Sequence, residues 1–549
     1  MGRLPAVLRH RLGAPLLLLG LLVALSALMD PGGTLGTDTG AKVITLETMQ
    51  RNGTARPVVG YWAEEWDPTG AVHPLYQAGR NDDGEWVIVT TLPMLEAARP
   101  LYELGGYRLA LLLPMLGTVG CALVARSLAG RMGDADDAVL AFWVVGAASP
   151  LLLYGLDLWE HSVGVAACGA AVVLLVDHLT RGERWWRPLL AGGLLGAAAT
   201  LRTEAIVYTA VAVGVVGLVL LARRRVGSAA ALGALAAAGF AGPWLLNRWM
   251  EIQLGGQSRA SRAGGAVEAA GARLQERVDQ ALVMTLGAKG DSIGSIVIGT
   301  AVVGLVLLGV RAERGGDRRL ALIVVALAGV PLLVGAVSGL AFVPGLLVAF
   351  PLAVLALTSR PRGPSAWLVA IAVVALPVVW VTAYVGGGGP QWGSRYTLVS
   401  TLLLAVVATV GLLRRHPVVG RGVLVLTAGV SVLSVVWLGV RSRSVDALFE
   451  DLTAVDAEVV IARNGFLLRE GGAATVGQPW LSTGDEEAFT LATEVAEAAG
   501  ARRVAVVEYG AAAPPDEVVP DGWSEATRTE SSLAGTGIGI VVYEVPGAG

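Results

Sequence analysis

Long apolar segments, separated by short basic connectors, make up most of the first 440 residues of the chain. A helix needs about 20 consecutive, mostly apolar residues to cross the hydrocarbon core of a membrane. The hydropathy pattern predicts about thirteen such helices. The predicted spans lie at 12–29, 107–125, 138–155, 162–176, 188–201, 205–222, 228–246, 292–310, 320–337, 341–358, 366–384, 397–413 and 422–440.

Two stretches before the second span carry a different pattern. The loop 30–88 mixes three tryptophans with charged residues and is too long for a simple connector. Within it, the spacing of Val43, Leu46 and Met49 predicts an interfacial helix over 41–50. We expect residues 92–106 to lie along the membrane as well.

The tail 441–549 has the pattern of a small α/β domain. Its apolar runs predict strands at 459–461, 504–507 and 538–545, and a helix over 484–499. The predicted fold class is therefore an all-α polytopic membrane protein of about 13 transmembrane helices with a small extracytoplasmic C-terminal α/β domain. We divide the chain into a membrane domain over 1–440, with its outer loops 30–88 and 247–291, and the domain 441–549.

Composition and charge sharpen this picture. Of the 549 residues, 54% are apolar and only 15% charged, which excludes an ordinary soluble enzyme because soluble domains are about a quarter charged. Cys121 and Cys168 both lie in apolar runs, so no disulfide framework is predicted.

Every second connector is rich in arginine, and such connectors stay in the cytoplasm. This places the N-terminus in the cytoplasm and the loop 30–88 and the tail outside the plasma membrane. Cleavage of the first span as a signal near Ser26 would still leave the loop 30–88 outside. The net charge of −3 hides a strong polarity. The loop carries −5, the tail −11 and the rest of the chain +13.

Polar and charged residues at membrane spans are costly and are candidates for function. Four short motifs place such residues at the predicted outer ends of the spans. They are Asp38 in GTDTGAK, Asp157, Glu160 and His161 in LDLWEHS, Arg202 and Glu204 in LRTEA, and Gln391, Arg395 and Tyr396 in GGGGPQWGSRY. Because all four motifs face the same compartment, the pattern predicts one site on the outer side.

Together with the long first outer loop and the outer C-terminal domain, these motifs resemble the GT-C superfamily of polytopic membrane glycosyltransferases. LRTEA and GGGGPQWGSRY are most similar to the actinobacterial members. The resemblance covers about 440 residues. It implies an inverting enzyme that moves a sugar, mannose or arabinose, from a polyprenyl-phosphate donor to an extracytoplasmic glycan, lipid or protein acceptor. Membrane lipids surround such a chain, and nothing indicates nucleic-acid binding.

The resemblance also implies roles for individual residues. Asp38 would be the general base that takes the proton of the acceptor hydroxyl. The guanidinium groups of Arg202 and Arg395 would bind the donor phosphate, with Lys42 and His161 as lesser candidates. The supporting residues would be Glu160, Glu204, Gln391 and Tyr396. Protein O-mannosyltransferase relatives have two adjacent acids where this chain has Asp38 followed by Thr39, so no second acid is assigned.

Purely structural roles are alternatives for the same residues. Arg202 and Glu204 fit an ion pair that stabilises a helix turn. His161 fits a histidine bonded to a backbone carbonyl, and Arg395 and Tyr396 fit headgroup anchors at a span end.

The remaining acids and the function itself have alternatives too. Glu64, Glu65 and Asp67 have a spacing at which a divalent cation could bind, and no other cofactor is predicted. The alternative functions are a transporter or lipid-linked sugar flippase, and a non-enzymatic partner in envelope assembly. The spans hold almost no acidic residue between their ends and form no two related halves, which argues against ion-coupled transport.

Overall fold

The computed structural model describes residues 12–34, 36–257, 274–287, 293–337, 343–382, 392–510, 519–533 and 535–546. Its helices are α1 Gly13–Ser26, α2 Thr37–Asn52, α3 Leu92–Ala110, α4 Leu112–Ala129, α5 Ala135–Ala147, α6 Leu151–Tyr154, α7 His161–Thr180, α8 Trp186–Leu201, α9 Glu204–Ala222, α10 Val226–Leu254, α11 Leu274–Leu286, α12 Ile293–Arg314, α13 Arg318–Leu327, α14 Gly329–Val337, α15 Leu346–Ala349, α16 Leu352–Thr358, α17 Pro364–Thr382, α18 Leu398–Thr409, α19 Leu412–Arg415, α20 Val419–Ala454, α21 Leu467–Glu470 and α22 Glu486–Ala498.

The strands are β1 Ala78–Arg80, β2 Trp86–Ile88, β3 Val459–Ala462, β4 Trp480–Ser482, β5 Arg503–Tyr509, β6 Ser524–Leu533 and β7 Thr536–Glu544. Short 3₁₀ helices cover Arg395–Thr397 and Gly472–Thr475. By contact grouping the chain forms two units. The first unit is Met1–Ala27, Leu111–Arg248 and Arg259–Val436, and the second unit is Leu28–Ala110, Trp249–Ser258 and Trp437–Gly549.

The polytopic helical fold is confirmed, because each of the thirteen predicted spans overlaps a helix. In the described part of the chain, eight helices are long and apolar enough to cross a membrane. They are α4, α7, α9, α10, α12, the run α13–α14, α17 and α20. The other five predicted spans fall on shorter or interrupted helices. Pro150 and Pro351 account for two of the interruptions, since proline lacks the N–H that a continuous helix needs.

The helix predicted over 41–50 is present as α2, which begins at Thr37. It does not have the single apolar face that we expected of an interfacial helix. Lys42 and Thr45 are as deeply buried as Val43 and Leu46, so α2 is enclosed around its circumference. In the second unit, α3, α21 and the 3₁₀ helix Gly472–Thr475 pack against α2. The sequence could not show this, because those elements lie far away along the chain.

The stretch 92–106, which we expected to lie along the membrane, begins as the helix α3, and this helix is interrupted before the next span. The backbone at Gly105 and Gly106 is non-helical, and Gly106 has a φ of +63°. A residue with a Cβ rarely adopts that conformation, whereas glycine does so without a steric penalty. The two glycines therefore separate the buried helix that follows the outer loop from α4.

The predicted C-terminal α/β domain is confirmed. Five strands form one sheet in the order β4-β3-β5-β7-β6, with β3 parallel to β4 and β5. Strand β7 is antiparallel to both of its neighbours. The predicted strands correspond to β3, β5 and β7, and the predicted helix is α22. The edge strands β4 and β6 were not predicted.

The sheet is buried on both faces within the second unit. One face packs against α22, through residues such as Ile461, Val506 and Phe489. The opposite face packs against the end of α20, through residues such as Val507 and Phe449. Residues of the first outer loop, including Tyr61, Val72 and Trp86, belong to the same core as α22. The first outer loop and the tail thus share a hydrophobic core, which orders a loop that has little secondary structure of its own.

Candidate active site

Three of the four sequence motifs meet at one end of the helices in the first unit. Glu160 and His161 lie at the start of α7, Arg202 and Glu204 at the junction of α8 and α9, and Arg395 and Tyr396 just before α18. Their side chains contact one another, although more than 230 residues separate the first motif from the last. The expected convergence of these three motifs is therefore observed.

Arg202 is the centre of this cluster. Its Nη1 lies 3.2 Å from Oε1 of Glu160, and its Nε lies 3.0 Å from Oε1 of Glu204. The backbone of Arg202 is extended, which ends α8 and allows α9 to begin at Glu204. Gly164 lies one turn into α7, and a Cβ there would lie 3.3 Å from Cγ of Arg202. The expected ion pair with Glu204 is thus present, and Glu160 adds a second carboxylate.

Arg395 is held beside Arg202 by aromatic residues. Its Nη2 donates a hydrogen bond of 2.8 Å to the hydroxyl of Tyr396. Its guanidinium lies 4.8 Å from the ring centroid of Tyr396 and 5.6 Å from that of Trp159. The guanidinium of Arg202 lies 5.4 Å from the same Tyr396 ring. One tyrosine therefore contacts both arginines, and both arginines are buried.

The chain before Arg395 turns sharply. Gly393 has a φ of +71° and Ser394 a φ of +60°, so two consecutive residues have a positive φ. A Cβ on Gly393 would lie 2.4 Å from Cγ of Pro150, which explains the requirement for glycine there. The amide of Gly393 donates to the carbonyl of Pro344 and fixes the turn. This geometry gives a physical reason for the GS pair in the motif GGGGPQWGSRY.

His161 belongs to an aromatic stack with Tyr154 and Trp159. Its ring centroid is 5.0 Å from that of Tyr154 and 4.6 Å from that of Trp159. The hydroxyl of Tyr154 donates to the carbonyl of Trp392, which ties this stack to the turn before Arg395. Asp157 is also buried in this segment. Sequence reasoning missed Tyr154 and Trp159, because aromatic residues near span ends are common.

Several buried polar atoms in this cluster lack a hydrogen-bond partner within the described residues. They are Nε1 of Trp159, Oε2 of Glu204 and Oγ of Ser394. Buried polar atoms are nearly always bonded in folded proteins, so each such atom calls for an explanation. These three atoms lie beside two buried arginines and are available to a polar ligand. Gln391, a further candidate from the motif GGGGPQWGSRY, lies outside the described residues.

Asp38 and Lys42 belong to the second unit, on the first turns of α2. Both are buried, with Asp38 9% and Lys42 2% exposed. The Nζ of Lys42 donates a 3.0 Å hydrogen bond to the backbone carbonyl of Asp38. Lys42 thus contacts Asp38 one helical turn away, as the spacing allows, and this bond goes to the main chain.

Arg469 is a buried cation beside Asp38 that sequence reasoning missed. Its Nη2 lies 3.8 Å from Oδ1 of Asp38, and the arginine is only 1% exposed. Its Nη1 donates to the carbonyl of Tyr76 and to Oε1 of Gln77. The signal was weak, because Arg469 lies in the C-terminal segment, 431 positions after Asp38.

Two of the three acids considered for a divalent cation, Glu64 and Asp67, have other roles in the structure. Glu64 pairs with Arg80 at 2.8 Å. Asp67 accepts hydrogen bonds from the Tyr61 hydroxyl and from the amide of Val72, and these bonds lower its pKa even though burial raises it. Among the described residues, no group of three metal-ligating side chains comes together. Asp67 therefore organises the loop, and the cation hypothesis gains no geometric support.

No protein-family model matches the chain, and no curated protein is similar to it in sequence. Two solved structures align with most of the chain. The archaeal oligosaccharyltransferase from Archaeoglobus fulgidus in the apo form aligns over 90% of this chain and 70% of that chain, at 14% identity and a TM-score of 0.46. ArnT from Cupriavidus metallidurans bound to undecaprenyl phosphate aligns over 97% of this chain and 98% of that chain, at 12% identity and a TM-score of 0.52. The chain has the GT-C fold.

The sequence motifs predicted the GT-C fold, and that prediction is confirmed. At 12% identity the likeness concerns the fold, so it assigns no role to an individual residue. The candidate site consequently rests on its own geometry.

Proposed function

We propose that the chain is an inverting membrane glycosyltransferase. It transfers a sugar, mannose or arabinose, from a polyprenyl-phosphate donor to an extracytoplasmic glycan, lipid or protein hydroxyl. The observation that carries the proposal is the meeting of two buried arginines, Arg202 and Arg395, with partnerless polar atoms in a GT-C fold. The ArnT structure of the same fold was solved with undecaprenyl phosphate, a carrier lipid of the proposed class.

The reaction places clear demands on the site. The acceptor oxygen attacks the anomeric carbon, and the bond from that carbon to the phosphate oxygen breaks with its electron pair. The leaving group is therefore an anionic polyprenyl phosphate, which gains from a guanidinium because planar N–H donors match phosphate geometry. No proton has to be delivered to this leaving group.

Arg395 is the better candidate for the phosphate ligand. Arg202 already lies between the carboxylates of Glu160 and Glu204, and their negative charge opposes a phosphate at the same guanidinium. The Arg202 group then orients Tyr396, whose ring and hydroxyl contact Arg395. His161 and Lys42 are lesser phosphate candidates, and Gln391 is a supporting one.

Asp38 is proposed as the general base. Its carboxylate would accept the proton that the acceptor hydroxyl loses, a contribution of about 10²–10⁴ in rate for a well-placed base. The position in the first turn of α2 suits an anion, because the N-terminal end of a helix carries partial positive charge.

The proposed function also requires the site to face outward. The arginine-rich connectors support a cytoplasmic N-terminus, with the C-terminal domain outside the plasma membrane. A phosphatase reporter fused after Arg225 should be silent, and one fused after Gly549 should be active. The opposite pattern would overturn the proposed orientation and the outward site.

The reaction is tested with the purified chain in liposomes that contain labelled mannosyl or arabinosyl polyprenyl phosphate and a cell-envelope acceptor fraction. We expect release of unlabelled polyprenyl phosphate and transfer of the label to the acceptor. A flippase would move the labelled carrier across the bilayer with its sugar–phosphate bond intact, and that result would overturn the proposal in favour of the alternative.

A further inference from the structure

We propose that Arg469 is a positioning residue for Asp38, so that the C-terminal domain helps to assemble the catalytic base. This inference rests on the proposed function, in which Asp38 is that base. The observation behind it is the burial of the Arg469 guanidinium 3.8 Å from the Asp38 carboxylate.

The guanidinium is fixed from a second direction. Its Nη1 donates to the carbonyl of Tyr76 at 2.9 Å and to Oε1 of Gln77 at 3.2 Å. Both acceptors belong to the first outer loop, and Gln77 has a φ of +64° that turns the chain at this point. These two bonds leave little freedom to the guanidinium, so its position beside Asp38 is set by the loop.

The backbone of Arg469 is fixed as well. A Cβ added to Gly40 would lie 1.5 Å from the carbonyl oxygen of Arg469, so the two backbones are in direct contact. Gly40 lies two residues after Asp38 on α2. The close approach brings the short helix α21 against the start of α2 and explains a glycine in the motif GTDTGAK.

A buried cation at this distance acts on the carboxylate mainly through its charge. The separation of Nη2 and Oδ1 exceeds hydrogen-bond length, so this contact is electrostatic. An opposite charge within about 4–6 Å favours the ionised form of a carboxylate, which is the form that accepts a proton. The same charge restrains the carboxylate orientation, and a general base depends on geometry as much as on ionisation.

Other charged groups lie on the elements packed against α2. They include Lys42 and the paired Glu47 and Arg51 on α2 itself, Glu470 on α21 with its partner Arg441, and Glu96 on α3 with its partner Arg99. Glu470 and Glu96 each form an ion pair, so their charges are largely offset by their partners. Lys42 contacts the backbone carbonyl of Asp38, and Arg469 contacts its carboxylate. Arg469 therefore has the most direct electrostatic effect on the base.

The test compares Arg469→Gln and Arg469→Lys with Arg463→Gln in the transfer assay. Arg463 is a matched control, because it also pairs with a carboxylate, Glu508, in the C-terminal domain. For Arg469→Gln we expect kcat to fall about tenfold or more while the donor KM stays within about twofold. The acidic limb of the kcat/KM profile should move up by about one pH unit. Arg469→Lys should restore part of kcat, and Arg463→Gln should leave kcat and the profile unchanged.

A second variant keeps the test informative if Arg469→Gln folds poorly. Gln77→Asn shortens an exposed side chain that orients Arg469, and asparagine tolerates a positive φ. It should shift the acidic limb in the same direction by a smaller amount. The positioning role would be overturned if the acidic limb of the kcat/KM profile did not shift in folded Arg469→Gln and Gln77→Asn. If wild type were active and Asp38→Asn inactive in the same assay, that result would leave the proposed function intact. Transfer by Asp38→Asn would instead refute the assignment of the base.

Discussion

Nη1 of Arg202 lies 3.2 Å from Oε1 of Glu160, and both side chains are buried in the first unit. The contact joins the end of α8 to the start of α7, where two of the sequence motifs meet. Because Glu204 binds the same guanidinium, the loss of Arg202 would remove the cation from one buried and one nearly buried carboxylate.

Arg202→Met should therefore lower the free energy of unfolding by about 3–5 kcal/mol, the usual cost of breaking a buried ion pair. Thermal unfolding in detergent measures this effect. The control is Arg225→Met, which breaks an exposed pair with Glu183 and should cost less than about 1 kcal/mol. Equal effects of the two substitutions would contradict the structural role given to Arg202.

The hydroxyl and the ring of Tyr396 should each contribute to the free energy of unfolding. Tyr396→Phe removes the hydrogen bond from Arg395, with an expected loss of about 1.5–3 kcal/mol because the donor is charged. Tyr396→Leu also removes the ring that faces both guanidinium groups, and it should destabilise further by about 2 kcal/mol. Unfolding measurements check whether Tyr396→Leu is more destabilising than Tyr396→Phe. The donor KM of each variant is a second readout. A Leu variant as stable as the Phe variant would refute the role of the ring.

Gly40→Ala should be destabilising, against the usual effect of alanine in a helix. Alanine normally stabilises a helix interior by about 0.5–1 kcal/mol relative to glycine. At Gly40 the new Cβ would meet the carbonyl of Arg469, whereas at Gly214 in α9 it would meet no atom within 4 Å. Gly40→Ala should lower the melting temperature, and Gly214→Ala should preserve or raise it. The same sign at both positions would show that α2 and α21 do not pack as described.

His73 should make stability depend on pH below neutrality. Its Nδ1 accepts from the amide of Leu75 and its Nε2 lies 3.2 Å from the carbonyl of Gly60, so the neutral ring satisfies both contacts. Burial lowers the pKa of His73 to about 4, while its hydrogen bonds and nearby Asp67 act to raise it. Since the unfolded chain binds the proton first, stability falls as the pH drops from about 6.5 towards 4.

The measurement is the unfolding free energy at pH 7 and pH 4.5 for wild type and His73→Gln. Between these pH values, wild type should lose about 2.4 kcal/mol more than the variant, which has no titrating ring. Identical pH dependence would mean that the ring is not held neutral by burial.

Much of the fold follows from the sequence, because the helices and most strands are set by local apolar periodicity. The same holds for the meeting of Glu160, Arg202 and Arg395, since alternate connectors return to the same end of a helical bundle. The choice of ion-pair partners within this cluster did not follow from the sequence. No local pattern indicates that Arg202 binds Glu160 as well as Glu204.

The second unit shows more clearly which features the sequence alone does not predict. Strand β6 is exposed along nearly all of its length, so it lacks the apolar alternation that identifies a strand, and backbone pairing with β7 defines it. Arg469 meets Asp38 only because α21 packs on α2. Such contacts depend on the assembled tertiary structure, and a single sequence contains no signal for them.

Asp38 is proposed as the base of a sugar transfer from a polyprenyl-phosphate donor. The most direct measurement is the initial rate of labelled-sugar transfer by wild type, Asp38→Asn and Asp83→Asn, each at equal folded amounts. Asp83 is a control on the same loop, exposed and paired with Arg56. We predict a fall of about 10²-fold or more for Asp38→Asn and a change below about twofold for Asp83→Asn. Wild-type rates in Asp38→Asn would contradict the account.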